Sequence, residues 1–323
     1  MNRRDFNRLL SLSGAVALGS GNTFSFLSPT QAANEENALE KNDIIPENWK
    51  LGISISGLTE YTQQEIDSIR EAGFVCIEVS CGRLKEDDFT QNAMKKLKKQ
   101  CERAGLEVWS VHVPFSGREN VAHLNEEARL RMLNIVTNYL KWGNELMDAR
   151  TFVIHPSAEP IVDKDRPNAF AQSVKSLKVL HEKAKSMNSV LCMENIPRTC
   201  LANTSRETME LLAQIAPDMK MCYDSNHLLQ ETPEHFVDGI EKGRIFTTHI
   251  SDYDWIDERH WLPFEGKTDW KLVIDALVRH GFTGPFLYEC RRYRDGRTAS
   301  YGEMAAIWQR ILKEYREWQQ KNV

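Results

Sequence analysis

The sequence predicts a single α/β domain folded as a (β/α)8 barrel, and three observations lead there. Eight short apolar runs recur between residues 51 and 289. After a polar turn, each run is followed by a segment of helical period, which is the pattern of parallel βα units. The main competitor, a doubly wound open sheet, usually opens on a glycine-rich loop, and Ser56-Gly57-Leu58-Thr59 offers no G-x-G-x-x-G.

The elements follow in order. The first run, 51–56, leads into a helix at 62–72, which Ala72-Gly73 stops by placing glycine just past its end. The second run, 74–79, precedes a helix at 90–104 stopped in the same way by Ala104-Gly105. Runs at 107–113 and 151–155 are followed by the longer helices 125–147 and 169–187. The fifth and sixth runs, 190–194 and 219–223, precede helices at 205–216 and 233–242. The seventh, 245–250, leads to a helix at 269–280 that His280-Gly281 ends. The eighth, 285–289, is followed by a final helix at 301–320. No linker or low-complexity tract follows Asn48, so residues 48–323 read as one domain.

Composition sets the outer limits. A chain of 323 residues, 41% hydrophobic and 27% charged, can bury a core without disulfides or a structural metal, and disorder, collagen and coiled-coil arrays are excluded. The net charge is -5 with no concentrated basic face, which argues against a nucleic-acid partner. Seven cysteines, an odd number scattered mostly through apolar runs, predict no essential disulfide.

The N-terminus reads differently from the rest. Arg3-Arg4 is followed by Phe6, a small-residue stretch at 13–19 and Gln31-Ala32-Ala33, as in a twin-arginine signal spanning 1–33 with a linker at 34–47. This predicts the twin-arginine export machinery as a partner and a periplasmic or otherwise exported location, or a cytoplasmic one if the segment is instead a disordered or amphipathic arm. The apolar run is well short of the roughly 20 residues a bilayer requires, so no membrane anchor is expected.

Chemistry-bearing residues collect where the runs end. Glu78 and His112 lie near the ends of runs two and three, and His155 and Glu194 end runs four and five. Asp224 follows run six with His227 three residues on, His249 lies at the end of run seven, and Glu289 ends run eight. In a barrel these ends share one mouth, where chemistry resides. Carboxylates at the end of an apolar strand are costly unless paired or metal-bound. Glu194, Asp224, His249 and Glu289 form a mainly oxygen set with one imidazole, suited to one divalent ion: Mn, Mg, Co or Zn.

Four segments carry a family resemblance: Leu191-Cys192-Met193-Glu194-Asn195, Tyr223-Asp224-Ser225-Asn226-His227, Thr248-His249-Ile250-Ser251-Asp252 and Leu287-Tyr288-Glu289. With them the chain resembles the xylose isomerase-like TIM-barrel superfamily, in the group labelled sugar phosphate isomerase/epimerase. The resemblance implies that Glu194, Asp224, His249 and Glu289 correspond to the single-metal ligands of ketose 3-epimerases. It also implies an enediolate reaction with Glu194 and Glu289 as acid/base pair, and places His155 and His227 near the substrate. His260 falls in the loop that closes over the family's pocket. Arg198, Glu78 and His112 join these as candidate substrate contacts. Two departures stand out: Cys200 occupies the position matched to an acid in ketose epimerases, and the closing loop is poorer in glycine.

The expected substrate is a small, non-phosphorylated carbohydrate, since no phosphate-gripping glycine loop is visible. Arg291 and Arg292, just after Glu289, are candidates for an anionic group or for ordinary ion pairing. The alternatives are a lyase or dehydratase on a keto-sugar, keto-glycoside or cyclitol, a metal-dependent hydrolase, and a non-catalytic sugar-binding barrel. Trp109, Phe115, Tyr253, Trp255, Trp261 and Phe264 are candidates to cover a sugar face or to pack loops. Metal identity, the sugar and the oligomeric state, with a homo-oligomer among the options, are open at this level.

Overall fold

The computed structural model describes residues 45–56, 60–81 and 91–322. The expected signal segment, 1–33, and the expected linker up to residue 44 lie outside the described residues. After a short 3-10 turn at Pro46–Asn48, strands and helices alternate. Strand β1 (Leu51–Ser56) leads to helix α1 (Gln63–Glu71), and β2 (Cys76–Ser80) to α2 (Gln91–Ala104). Then come β3 (Glu107–His112) with α3 (Glu126–Met147) and β4 (Thr151–Ile154) with α4 (Arg166–Ser186). They are followed by β5 (Val190–Glu194) with α5 (Ser205–Ile215) and β6 (Lys220–Asp224) with α6 (Pro233–Asp238). Strand β7 (Ile245–His249) with α7 (Trp270–His280) and β8 (Phe286–Tyr288) with α8 (Tyr301–Asn322) complete the set.

The strands pair in parallel in the order β7-β6-β5-β4-β3-β2-β1-β8. The ring closes between β7 and β8 through a bridge from Ile250 to Tyr288. There Ile250 N–H donates to Leu287 O at 2.8 Å, and Glu289 N–H to Ile250 O at 3.1 Å. Because β8 has three residues, a side chain extends the ladder: the Thr248 hydroxyl donates to Pro285 O at 2.8 Å and accepts from Leu287 N–H at 3.3 Å.

Alternation along each strand sorts the residues into two populations. Leu191, Met193, Met221 and Phe152 belong to the main core between sheet and helices. Val153, Cys192 and Cys222 form a separate small apolar cluster on the inner face. Two residues beyond each of them, on the same face, come His155, Glu194 and Asp224. The period of two therefore aims these polar side chains into the barrel mouth. On the outer side, α3 approaches β4 closely at Gly143, where a Cβ would lie 2.6 Å from the Phe152 ring.

The expected element boundaries shift at several places. Helix α4 starts at Arg166, three residues early, because Pro167 fits the first turn, where no N–H is needed. Helix α6 stops at Asp238, four residues early, with Gly239 at its C-cap. His155 and Glu289 sit one residue beyond β4 and β8. All seven cysteines are free and buried.

Candidate metal centre and pocket

Strands β5, β6 and β7 and the residue after β8 deliver one ligand atom each from Glu194, Asp224, His249 and Glu289, and these atoms lie within 4.8 Å of one another. Register brings them level: Asp224 pairs with His249 across β6 and β7. His249 Nδ1 faces Glu194 Oε1 at 2.9 Å, Glu289 Oε2 at 3.4 Å and Asp224 Oδ2 at 3.9 Å. Asn195 fixes the Asp224 backbone from both sides, donating to its carbonyl and accepting its N–H, each at 2.8 Å.

The donor set fits a divalent cation on two grounds. Asp224 Oδ2 is buried and has no hydrogen-bond partner, which is costly for a carboxylate oxygen unless a cation faces it. Charge gives the second. Burial, and then the Glu194, Asp224 and Glu78 carboxylates, hold the Glu289 carboxyl well above its usual range despite the opposing pull of His249. Burial would depress the His249 imidazole, yet Cys222 and the carboxylates Glu289, Glu78 and Glu194 push it well above normal. Four carboxylates, Glu78, Glu194, Asp224 and Glu289, lie within 4 Å of the His249 imidazole, a concentration of negative charge that a divalent ion would offset.

Glu194 is held on both oxygens. His112 Nε2 lies 3.0 Å and His155 Nε2 3.3 Å from Oε2, opposite the His249 contact on Oε1. Burial raises this carboxyl, but the histidines around it win and keep it well below its ordinary range. His155, driven by burial to about 4, is neutral near pH 7. Its ring packs on Phe115 at 4.2 Å between centroids.

Above the cluster lies a cavity of about 770 Å³, lined among others by Glu194, Glu289, His155, His227, His260 and Phe115. Its size falls within the range of small-molecule sites. Two expected substrate contacts are not on its wall. Glu78 is fully buried one layer down, accepting from Ser54 Oγ at 3.0 Å and Ser110 Oγ at 2.8 Å. Its Oε1 lies 2.9 Å from His249 Nε2, an ion-pair contact off the ideal hydrogen-bond line. His112, also buried, spends Nδ1 on Val113 O and Nε2 on Glu194. Both sit where strand alternation places them, inside the barrel and beneath the mouth, so they touch the cluster and not the cavity.

Arg198 reaches the cavity wall with its guanidinium already bonded to carboxylates of Glu159, Asp257 and Glu258. Cys200 lines the cavity as a thiol that burial pushes up to about 12, and therefore as a neutral group. Arg291 is turned to Tyr301 and the Ala299 carbonyl, away from the anion-binding role held open for it. Among the aromatic candidates, Phe115 alone is on the cavity wall. Tyr253 is buried with its hydroxyl on Leu228 O, and Trp109 stacks on Phe246.

The loop after β7 is organised by Asp252, whose carboxylate accepts from the N–H groups of Tyr253, Phe264 and Thr268 and from Trp270 Nε1. Gly266 makes this possible: a Cβ there would fall 2.2 Å from Tyr253 O and 2.3 Å from Asp252 Oδ1. Gly266→Ala is expected to cost roughly 2–3 kcal/mol, seen as a fall of about 4–8 °C in Tm by calorimetry. An unchanged Tm would show that the loop has slack. Sequence reading missed Asn195, Asp252 and Glu258 as organisers of the site. The first two stand inside the motif segments; Glu258 gave no local signal.

A family model described as "Xylose isomerase-like TIM barrel" matches residues 66–317. The D-psicose 3-epimerase of Enterocloster bolteae is 22% identical over 262 residues, covering 78% of this chain and 83% of that protein. Among solved structures, a D-tagatose 3-epimerase-like protein superposes with a TM-score of 0.67 at 23% identity, covering 84% of this chain and 99% of that one. The 3-keto-D-glucoside 4-epimerase from E. coli gives a TM-score of 0.64 at 17% identity over 82% and 99% of the two chains.

Proposed function

Because the chain belongs to the xylose isomerase-like TIM-barrel family, we propose that it is a divalent-metal-dependent isomerase or epimerase of a non-phosphorylated sugar. The observation that carries this reading is the convergence of Glu194, Asp224, His249 and Glu289 beneath a cavity of sugar-binding size. Those four side chains would hold the ion, which supplies Lewis-acid polarisation of a substrate carbonyl and so acidifies the neighbouring C–H.

The protein's own groups then divide the remaining work. Glu194 and Glu289, both on the cavity wall, serve as the pair that removes and returns the proton. His112 and His155 keep Glu194 ionised and oriented through their contacts with Oε2. His155, His227 and His260 line the space where hydroxyl groups of the sugar would lie. The apolar face of the ring fits against Phe115, as aromatic side chains favour.

The test is hydrogen exchange at carbon. Metal-loaded protein incubated in D₂O with D-psicose, D-tagatose or a 3-keto-glucoside is expected to incorporate deuterium next to the carbonyl, before or together with net product. Proton return leaves the product otherwise unchanged in mass, whereas loss of water or an alcohol would identify a lyase. Turnover with full retention of the substrate hydrogen, and no primary isotope effect from substrate deuterated at that carbon, would refute the enolising reading.

Export is a further proposal, supported by Arg3, Arg4 and Phe6. Among the described residues no helix is long and apolar enough to cross a membrane. Changing Arg3 and Arg4 together to Lys is expected to leave precursor inside the cell, read by fractionation and blotting. Mature protein arriving in the periplasm at the normal rate would show the signal to be misread.

A further inference from the structure

We propose that Arg198 is a positioning residue: by clasping carboxylates from two other loops it fixes His227 at the cavity wall. This rests on the reading above in taking His227 as a substrate contact. Arg198 lies in the loop after β5. Its Nε donates to Glu159 Oε2 at 2.9 Å, from the loop after β4. Nη1 donates to Asp257 Oδ1 and Nη2 to Glu258 Oε1, each at 2.8 Å, from the loop after β7. The fork of the guanidinium is thereby spent on protein carboxylates, and three such charges against one leave it no attraction to spare for a substrate anion.

The other oxygen of Glu258 continues the chain of contacts. Oε2 lies 3.2 Å from His227 Nε2, while His227 Nδ1 donates to Asn195 O at 2.9 Å. The imidazole is gripped at both nitrogens, and Arg198 holds the movable grip. His227, Glu258 and His260 also bring possible ligand atoms together. Arg198 and His227 already occupy the two oxygens of Glu258, so the clasp accounts for this cluster without a second ion.

The backbone shows how firmly the clasp is built. Arg198 has φ +54°, and Trp255, His260 and Phe264 in the facing loop have φ +64°, +51° and +77°. Residues with a Cβ persist there only where surrounding contacts over-determine them. Asn203 Nδ2 donates to Arg198 O at 2.7 Å, and Asn226 Oδ1 accepts from the N–H groups of Arg259 and His260.

The experiment compares wild type, Arg198→Met, Arg198→Lys, Glu258→Gln and the Arg198→Met/Glu258→Gln double variant, all loaded with Mn²⁺. Amide hydrogen exchange of peptides covering residues 254–264 is expected to quicken by about tenfold or more in both Arg198 variants, with α7 and α8 unchanged. With whichever of the three sugars above the protein turns over, kcat is expected to fall about 10- to 100-fold. KM should stay within about threefold of wild type. The double variant should be no slower than Arg198→Met alone, since both changes break one chain of contacts. Lys, which keeps the charge and loses the fork, should recover little.

Loop exchange at the wild-type rate would overturn the proposal whatever the activity. So would a KM raised tenfold or more at unchanged kcat, the mark of a direct substrate contact. Loss of a second equivalent of Mn²⁺ in Glu258→Gln would do the same by making Glu258 a ligand. Quickened loop exchange in a protein that turns over none of the sugars would uphold the clasp and count against the enzymatic reading alone.

Discussion

Glu194→Gln is expected to reduce turnover by at least about 10³-fold, because in the proposed mechanism it removes both a general base and a charged metal ligand. The exchange preserves volume, but the carboxylate that faces His112, His155 and His249 becomes a neutral amide with an N–H₂ turned toward ring nitrogens. Glu289→Gln provides the comparison. Its side chain is 21% exposed against 1% for Glu194, so its replacement disturbs packing less and should lower kcat by more than it lowers metal affinity. Steady-state kinetics with metal analysis by mass spectrometry reads both quantities. Retention of more than a tenth of wild-type turnover by Glu194→Gln would refute its proposed place in an acid/base pair.

Glu78→Ala is expected to be the most destabilising single change near the site. It strips a fully buried carboxylate from Ser54, Ser110 and His249, leaving two hydroxyls without their acceptor and the imidazole without its ion-pair partner at Nε2. Removing one partner of a buried ion pair typically costs about 3–5 kcal/mol. Here that corresponds to a fall in Tm of roughly 6–12 °C. Because Glu78 orients His249 from behind, the affinity for Mn²⁺ should drop about 10- to 100-fold as well. Thermal unfolding and Mn²⁺ titration together check this. A variant as stable as wild type and binding metal equally well would show that Glu78 merely fills space.

The candidate ligands were legible because each stands at a strand end that the apolar runs already mark. Glu194 follows Cys192 by two, and Asp224 follows Cys222 by two, so alternation alone sends them to the inner face. The same rule sends Glu78 and His112 to the inner face as well. They share that face but lie deeper along their strands, where the next layer covers them. The surroundings of Arg198 are illegible in the sequence for another reason. A cation near a pocket suggests a ligand for a substrate, and nothing close in sequence reveals the three carboxylates that claim it.

Sequence by itself determined the eight βα units, their glycine stops and the strand-end positions of Glu194, Asp224, His249 and Glu289. These are consequences of local periodicity and backbone preference, which each short segment carries within itself. Only the tertiary structure decided which polar residues face the cavity and which support it from beneath, and which loops Arg198 binds together. Glu258 lies 60 residues from Arg198 and the Ser110 hydroxyl 32 from Glu78, so these pairings exist only after the ring has closed. Their partners are chosen by strand register and by the requirement that every buried charge meet a counter-charge, neither of which a single stretch of sequence can express.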